Sequence, residues 1–572
     1  MINKIITILL LFIFAFINLF FITLKSNNYP ENNITLELYN FLQIITIDLL
    51  ILYALKKIKI LAILFVALIN YLYIVFDIYF VTTANKLDFF YFKKNIGQIS
   101  YITEHFQYIL ITLIFISLIN TWVVYKIRPK FKFKFYYLII FFIIITTLVV
   151  QPKKYDNGLL YFIKTSRHND SVISYYENTY DKIIKKSIIN NNLSPKINTT
   201  TPEYLENIII IHLESLNGFL VNEKHTPTLL EIASNGVLFK NYYSNSVQTK
   251  SAYENILCSL PNSFENNLVD TGLDKNILCL PRLLSKLDYS TYWFKGGSRL
   301  EITKANDFSS NIGFQELHND DIMDPDEPKY SWGYREDVFF EKAFNYIAKE
   351  KQAKNFFYID VGTTNHYPFI TPEELKNTVP YQAPENNKEI MSNTIFLQDM
   401  YLKIAWDKIN ELFPEKNYTL FVLSDNSWPV GIQSDNSFVQ KNAFEENFRT
   451  PLAVVFGGQE EYKGKLIENR YSHMDIMPTI LDLLDIDAQN KFATSFLPEL
   501  EYGKIPNRRI IMTQPYSKKY INVIDGNMKY QYNSTDKNII SYNLENDDME
   551  INPSMSSTGE KESLEFLYKF LD

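Results

Sequence analysis

The chain has 572 residues, too many for one ordinary domain and enough for a membrane part plus a large soluble part. Its formal charge of -8 argues against the basic face of a nucleic-acid binder, so no nucleic-acid partner is expected. Charged residues make up 21% overall, yet the apolar residues crowd into the first quarter; the many Tyr (40) and Phe (43) beside only 17 Gly read as compositional bias, not function.

Five apolar stretches come first, each near the roughly 20 residues that cross a bilayer. They run from Ile5 to Leu24, about Leu38 to Leu55, about Ile60 to Val81, near Tyr108 to Tyr125 and near Phe135 to Val150. The second and third carry single acids, Asp48 and Asp77, to which no role is assigned. A signal peptide is the weaker reading of the first stretch, because no small-residue cleavage site follows it. Lys56, Lys57 and Lys59 after the second stretch, and Lys126, Arg128, Lys130, Lys132 and Lys134 after the fourth, mark cytoplasmic turns. The loop 82–105 breaks the symmetry with Lys86, Lys93 and Lys94. The expectation is a transmembrane region over 1–152, N-terminus inside, and everything after it on the extracytoplasmic side. Cys258 and Cys279 then lie where disulfides persist and are expected to pair; two free buried thiols are the alternative.

Residues 153–203 are polar and read as a juxtamembrane connector, with a helix-compatible stretch at Ser171 to Ile189. From Glu206 the pattern changes to continuous apolar runs, as for strands buried on both faces of a parallel sheet. These are NIIIIHL, STYWF, NFFYIDVG, YTLFVLSD, PLAVVFG and RIIMTQ. Helical patterns fall between them, in TPTLLEIASNG, CLPRLLSKLDY, EDVFFEKAFNYIAKEK and MDIMPTILDLLDI. The alternation predicts an α/β domain over 204–572 with a mostly parallel central sheet, and sites beyond the strand ends. Glu214, Asn365-His366 and Asp425 stand at such ends. Carboxylates at neighbouring strand ends suit a divalent metal such as Zn, Mn or Mg, although each alone reads more readily as a helix cap or loop residue.

Nine segments in order carry a resemblance: IIIIHLES, HTPTLLEIASNGVLFKNYYS, SVQTKSAYENILCSLPN, CLPRLLSKLDYSTYWFKGG, GFQELHN, WGYREDVFF, TTNHYPF, LSDNSWP and HMDIMPTILDLL. They resemble the alkaline phosphatase and sulfatase superfamily, in particular the membrane-anchored lipoteichoic acid synthase-like phosphoglycerol and phosphoethanolamine transferases, through nearly the whole chain. The resemblance implies an N-terminal five-helix membrane bundle joined to a sulfatase-like domain. It implies Glu214 and Asp425 as ligands of one divalent metal ion and Thr249 as a nucleophile that also contacts the metal. Ser246 and Ser251 are neighbouring alternatives to Thr249. It places His366 at the substrate phosphate.

The sequence departs from the pattern in places. The metal-binding histidine after Asp425 is Asn426, whose oxygen lacks imidazole's basicity and favours a harder ion. A phosphate-contacting histidine falls at Lys295, and an arginine falls near Lys304 or at Arg299; lysine offers a point charge without the guanidinium fork. The GET-A-R motif of lipid A phosphoethanolamine transferases is replaced by HLES, which tilts the reading towards phosphoglycerol transfer. His473 and Asp475 read as helix-capping and structural.

The resemblance therefore implies a metal-dependent transferase in a bacterial cytoplasmic membrane. It would take a phosphoglycerol or phosphoethanolamine group from a phospholipid through a phosphothreonine and pass it to a surface glycan or lipid acceptor. The alternatives are an ester hydrolase and an inactive membrane scaffold. The sequence CSLPN lacks the arginine of a sulfatase formylglycine motif.

Overall fold

The computed structural model describes residues 58–83, 114–122, 170–189 and most of 202–571 (the gaps there are 265–267, 272–276, 298–303, 331, 434–435, 437–441, 487–492, 516–518 and 535), with isolated positions at 48, 51, 125 and 162–163. Residues 1–170 and 171–572 are separate compact units. The first and fifth expected spans, most of the second and Arg299 lie outside the described residues.

In the first unit, Lys59–Thr83 is a helix of 25 residues, with side chains described only as far as Phe76. Among the described residues no helix is long and apolar enough to cross a membrane. This helix still leaves apolar side chains uncovered: Ile60 is 76% exposed and Leu64 60%. Asn70 Nδ2 donates to the buried Asp48 carboxylate at 2.7 Å, so the acid has a polar partner.

The second unit is built on a sheet of eight strands. They are β1 (Asn207–Leu213), β2 (Val237–Tyr243), β3 (Ser290–Lys295), β4 (Glu316–His318), β7 (Asn355–Asp360), β8 (Tyr418–Ser424), β9 (Arg449–Phe456) and β10 (Lys465–Ser472); β5 (Lys329–Tyr330) and β6 (Gly333–Tyr334) form a separate ribbon. The order is β10-β2-β9-β8-β1-β7-β3-β4. All neighbours are parallel except where β9 lies between β2 and β8. PLAVVFG is thus the strand that runs against the rest.

β1 is central and every residue in it is buried. Ile208 and Ile210 join the core on one face, beneath the helices Thr249–Cys258 and Ile476–Leu483; Ile209 and Ile211 join the core on the other, beneath Glu336–Glu350 and Asn387–Leu412. Each such side chain contributes about 1.5–3 kcal/mol by burial, which is why the run tolerates no polar alternation. Gly236 links the helix Pro227–Ser234 to β2 so closely that a Cβ would sit 2.0 Å from the Val454 carbonyl oxygen.

Two expectations are corrected. RIIMTQ is β11 (Arg509–Gln514) of a second, antiparallel sheet with β12 (Tyr520–Asp525), β13 (Met528–Asn533), β14 (Asn538–Asn543) and β15 (Ser554–Ser557). It imitates a central parallel strand because both its faces are covered: Ile510 and Met512 pack with Tyr243, Val247 and Phe448, while Ile511 packs with the outer helices.

The connector is also not separate from the domain. The helix Ser171–Ile189 packs against the C-terminal sheet and the helix Glu560–Leu571, with Val172, Ile173 and Tyr176 in one core with Ile521, Tyr532 and Leu567. The Tyr176 hydroxyl donates to the Asn262 carbonyl at 2.7 Å, and Glu177 accepts the Phe264 N–H at 2.8 Å. The compact unit therefore begins at Ser171 and not at 204. Tyr176→Ala is expected to lower stability by about 3 kcal/mol through the cavity it leaves, read by denaturant unfolding followed by tryptophan fluorescence.

Candidate active site

β1 and β8 are adjacent, parallel and in register from Asn207↔Tyr418 to Leu213↔Ser424, so the next residues, Glu214 and Asp425, emerge side by side. The Asp425 N–H donates to the Leu213 carbonyl at 3.0 Å and the Ser215 N–H donates to Asp425 Oδ1 at 2.8 Å, which closes the two strand ends on each other. Ser215 turns sharply, with φ +50°. Asn365 holds that turn, its Nδ2 donating to the Glu214 and Ser215 carbonyls at 3.0 and 3.1 Å while Thr394 donates to its oxygen.

Thr249 is the first residue of the helix Thr249–Cys258. Its hydroxyl donates to Asp425 Oδ2 at 2.6 Å. Asn426 Nδ2 donates to the same oxygen at 2.7 Å, and Asn426 Oδ1 faces the Ser215 hydroxyl at 3.5 Å, itself 2.7 Å from Glu214 Oε1. Four of the expected residues, Glu214, Thr249, Asp425 and Asn426, are thereby brought together at the strand ends. Gly362 keeps the far side close, since a Cβ there would meet Glu214 Oε2 at 3.2 Å.

Cys258, the last residue of that helix, is bonded to Cys279 just before the helix Leu280–Ser285. The far end of the Thr249 helix is therefore tied to its neighbour covalently.

Burial pushes the Glu214 carboxyl up to about 8; the Ser215 hydroxyl works against this, and Asp360 and Glu336 add to it. Burial and then Glu214 push Asp425 up to about 7. Two adjoining buried carboxylates thus hold protons at neutral pH when no cation is beside them. The donor set of two carboxylates, a hydroxyl and a carboxamide is all oxygen, which fits a hard divalent cation and lacks the imidazole or thiolate that zinc prefers.

Lys295 lies inside the domain. It is 4% exposed, and its ammonium lies 2.6 Å from Asp360 Oδ2 and 2.7 Å from the Tyr253 hydroxyl. Lys304 is exposed at the start of the helix Ala305–Ile312, with φ +50°. His366 is on the loop after Asn365; its Nδ1 lies 2.9 Å from the Tyr367 carbonyl and its ring centroid 4.1 Å from that of Trp332. Tyr367 stacks in turn on Trp428 of the loop after Asn426, at 6.0 Å. Buried Glu446 shapes that second loop by accepting the Val430 and Ile432 N–H groups at 2.8 and 3.1 Å.

His473 is buried and held neutral, its pKa lowered to about 3 by burial and then by His212; Asp475 closes a capping box with Ser472. Asp360 and Tyr253 were not singled out by the sequence as site residues, whereas Asn365 was, at the strand end. Asp360 had a signal: opposite charges in register, Lys295 on β3 and Asp360 on β7, interrupt two strands that are otherwise buried.

The fold is that of an alkaline phosphatase-type α/β domain. A 1.95 Å crystal structure of an alkaline phosphatase superfamily protein from Vibrio parahaemolyticus aligns over 68% of this chain and 94% of that one, with TM-score 0.51 and 17% identity. The lipoteichoic acid synthase LtaP of Listeria monocytogenes aligns over 68% and 96%, with TM-score 0.51 and 19% identity. At these identities the likeness shows the fold. Residues 206–486 match the sulfatase family model. Among curated relatives, lipoteichoic acid synthase of Staphylococcus saprophyticus is 25% identical over 354 residues, 55% of this chain and 51% of that protein. Lipoteichoic acid synthase 1 of Bacillus subtilis is 25% identical over 308 residues, 50% and 46%. The chain spans about half the length of these relatives.

The raised carboxyls set a pH dependence. Glu214 and Asp425 keep their protons up to about 8 and 7 when folded, against ordinary values of 4.5 and 3.8. The folded state binds more protons in that window, so the stability these groups contribute is present at low pH and lost as pH rises towards 8. A cation bound between the two carboxyls would take the place of those protons. In denaturant unfolding, Mn²⁺ relative to chelator is expected to stabilise the protein more at pH 8 than at pH 5; an effect equal at both would contradict the assignment.

Proposed function

We propose that this protein transfers a phosphoglycerol group from a membrane phospholipid to an acceptor hydroxyl on a surface glycan or lipid, through a covalent phosphothreonine at Thr249. The observation that carries the proposal is the Thr249 hydroxyl aimed at Asp425 Oδ2, 2.6 Å away, beside Glu214 and at the start of a helix. Helix N-termini favour phosphate groups, because their N–H groups lack intrahelical partners and the dipole is positive there. The lipoteichoic acid synthase relatives support phosphoglycerol as the group.

The threonine oxygen forms a bond to phosphorus as the bond from phosphorus to the diacylglycerol oxygen breaks, and the leaving oxygen takes up the proton that the Thr249 hydroxyl passes through Asp425. Asp425 Oδ2 already accepts the hydroxyl hydrogen, so the proton has a place to go as the oxygen becomes nucleophilic. In the second half the acceptor hydroxyl attacks the same phosphorus and the Thr249 oxygen leaves, taking up the proton that the acceptor hydroxyl gives up. Glu214, Thr249, Asp425 and Asn426 would hold a divalent cation, which would supply positive charge to lower the hydroxyl's pKa and to offset the charge on the phosphoryl oxygens. The all-oxygen donors favour Mn or Mg over Zn for that ion. His366, on the loop whose Asn365 fixes the Glu214 turn, meets the phosphoryl oxygens in this reading.

The N-terminal apolar stretches anchor the chain in a bacterial cytoplasmic membrane, and the domain lies on the extracytoplasmic side. The basic turns after the second and fourth stretches and the exposed Ile60 and Leu64 support this. The Cys258–Cys279 bond supports it too, since disulfides persist outside the cytoplasm. Anchoring raises the effective concentration of a lipid donor at the site.

The test is release of diacylglycerol from phosphatidylglycerol in mixed micelles. Thr249→Ala is expected to lose about 10³-fold or more in rate with unchanged unfolding, and Thr249→Ser to keep part of it. Full activity in Thr249→Ala would sink the proposal.

A further inference from the structure

Behind the carboxylate pair lies a closed polar ring that the reaction as described does not use. Lys295 Nζ donates to Asp360 Oδ2 at 2.6 Å and to the Tyr253 hydroxyl at 2.7 Å, and that hydroxyl donates to the same Asp360 oxygen at 2.6 Å. On the other carboxylate oxygen, His212 Nδ1 stands 3.4 Å from Asp360 Oδ1 and 2.8 Å from the Tyr358 hydroxyl. All of these residues are buried. Burial alone pushes the Asp360 carboxyl up, but Lys295 and His212 outweigh it and hold it well below the usual carboxylate range.

The ring joins three elements. Lys295 ends β3, Asp360 ends β7 directly opposite it, and Tyr253 stands four residues after Thr249 on the same helix. Residues four apart share one helix face, so Tyr253 lies one turn below Thr249. A hydroxyl that both accepts from the lysine and donates to the aspartate fixes that turn against the sheet, while the Cys258–Cys279 bond holds the far end.

We infer that Lys295 is a positioning residue: with Asp360 and the Tyr253 hydroxyl it sets the helix that carries Thr249, and it does not meet the substrate phosphate. The inference rests on Thr249 being the nucleophile. A lysine 4% exposed, with its ammonium already on a carboxylate and a phenol, is placed to hold structure and not to take up and release a ligand.

A pair exchange in the full chain tests it, with phosphatidylglycerol in mixed micelles as the probe. Lys295→Met leaves Asp360 buried without its counter-charge; kcat is expected to fall about 100-fold with KM within about 2-fold. Adding Asp360→Asn removes that charge and keeps an acceptor for Tyr253, since neutral replacements of a buried pair are tolerated. The double variant is expected to return to within about 10-fold of wild-type kcat. A double variant that unfolds like wild type, stays as slow as Lys295→Met and raises KM about 10-fold or more would place Lys295 on the substrate and overturn the inference. Hydrogen exchange of the helix 249–258 gives a readout independent of turnover. Its amides are expected to exchange faster in Lys295→Met and to recover in the double variant; unchanged exchange in Lys295→Met overturns the inference even if the wild type releases no diacylglycerol, an outcome that would separately remove the proposed function.

Discussion

The register between β1 and β8 brings Glu214 and Asp425 out side by side in a dry environment, and the rest of the site answers that placement. Two like charges there are costly, and each carboxyl responds by holding its proton or by sharing a cation. The Ser215 N–H, the Thr249 hydroxyl and the Asn426 amide all donate to Asp425, and the Ser215 hydroxyl donates to Glu214. These hydrogen bonds offset the desolvation only in part, since both carboxyls remain well above their ordinary values. The proposed cation, the nucleophile contact and the pH dependence follow from one geometric fact about two parallel strands.

The same logic explains the second charge cluster. Asp360 ends the strand on the other side of β1 and adds a third buried carboxylate to the neighbourhood. It is tolerated because β3 delivers Lys295 opposite it. A position that resembles a phosphate-binding histidine thus carries a buried residue whose ammonium lies on Asp360 and the Tyr253 hydroxyl.

Much of this was legible in the residues. NIIIIHL, NFFYIDVG and YTLFVLSD read as buried parallel strands because both their faces are covered, and Glu214 and Asp425 come at the ends of the first and third. The same rule misled at RIIMTQ, whose two covered faces belong to a different sheet; apolar periodicity reports burial and not the identity of the partner. The helix Asn387–Leu412 is 26 residues long and escaped notice, since its buried positions include Ser392, Asn393, Thr394, Gln398 and Asp399, which blur the apolar stripe. Asp399 earns its burial by accepting the Thr228 and Leu229 N–H groups at the start of another helix, at 2.7 and 2.9 Å, a pairing invisible to local sequence. The inward turn of Lys295 was equally hidden, because side-chain direction at a strand end depends on the strand beside it.

The helix Ser171–Ile189 is part of the domain core, so the domain begins within the stretch read as a connector. The central claim nevertheless concerns one oxygen atom, and mass spectrometry reads it most directly. The full chain is incubated with phosphatidylglycerol, quenched in acid, and the peptide containing Thr249 is analysed. The account predicts a glycerol phosphate adduct on Thr249 that appears before product and is absent from Thr249→Ala. Turnover of the lipid with the adduct on another residue, or with none at any time point, would contradict it.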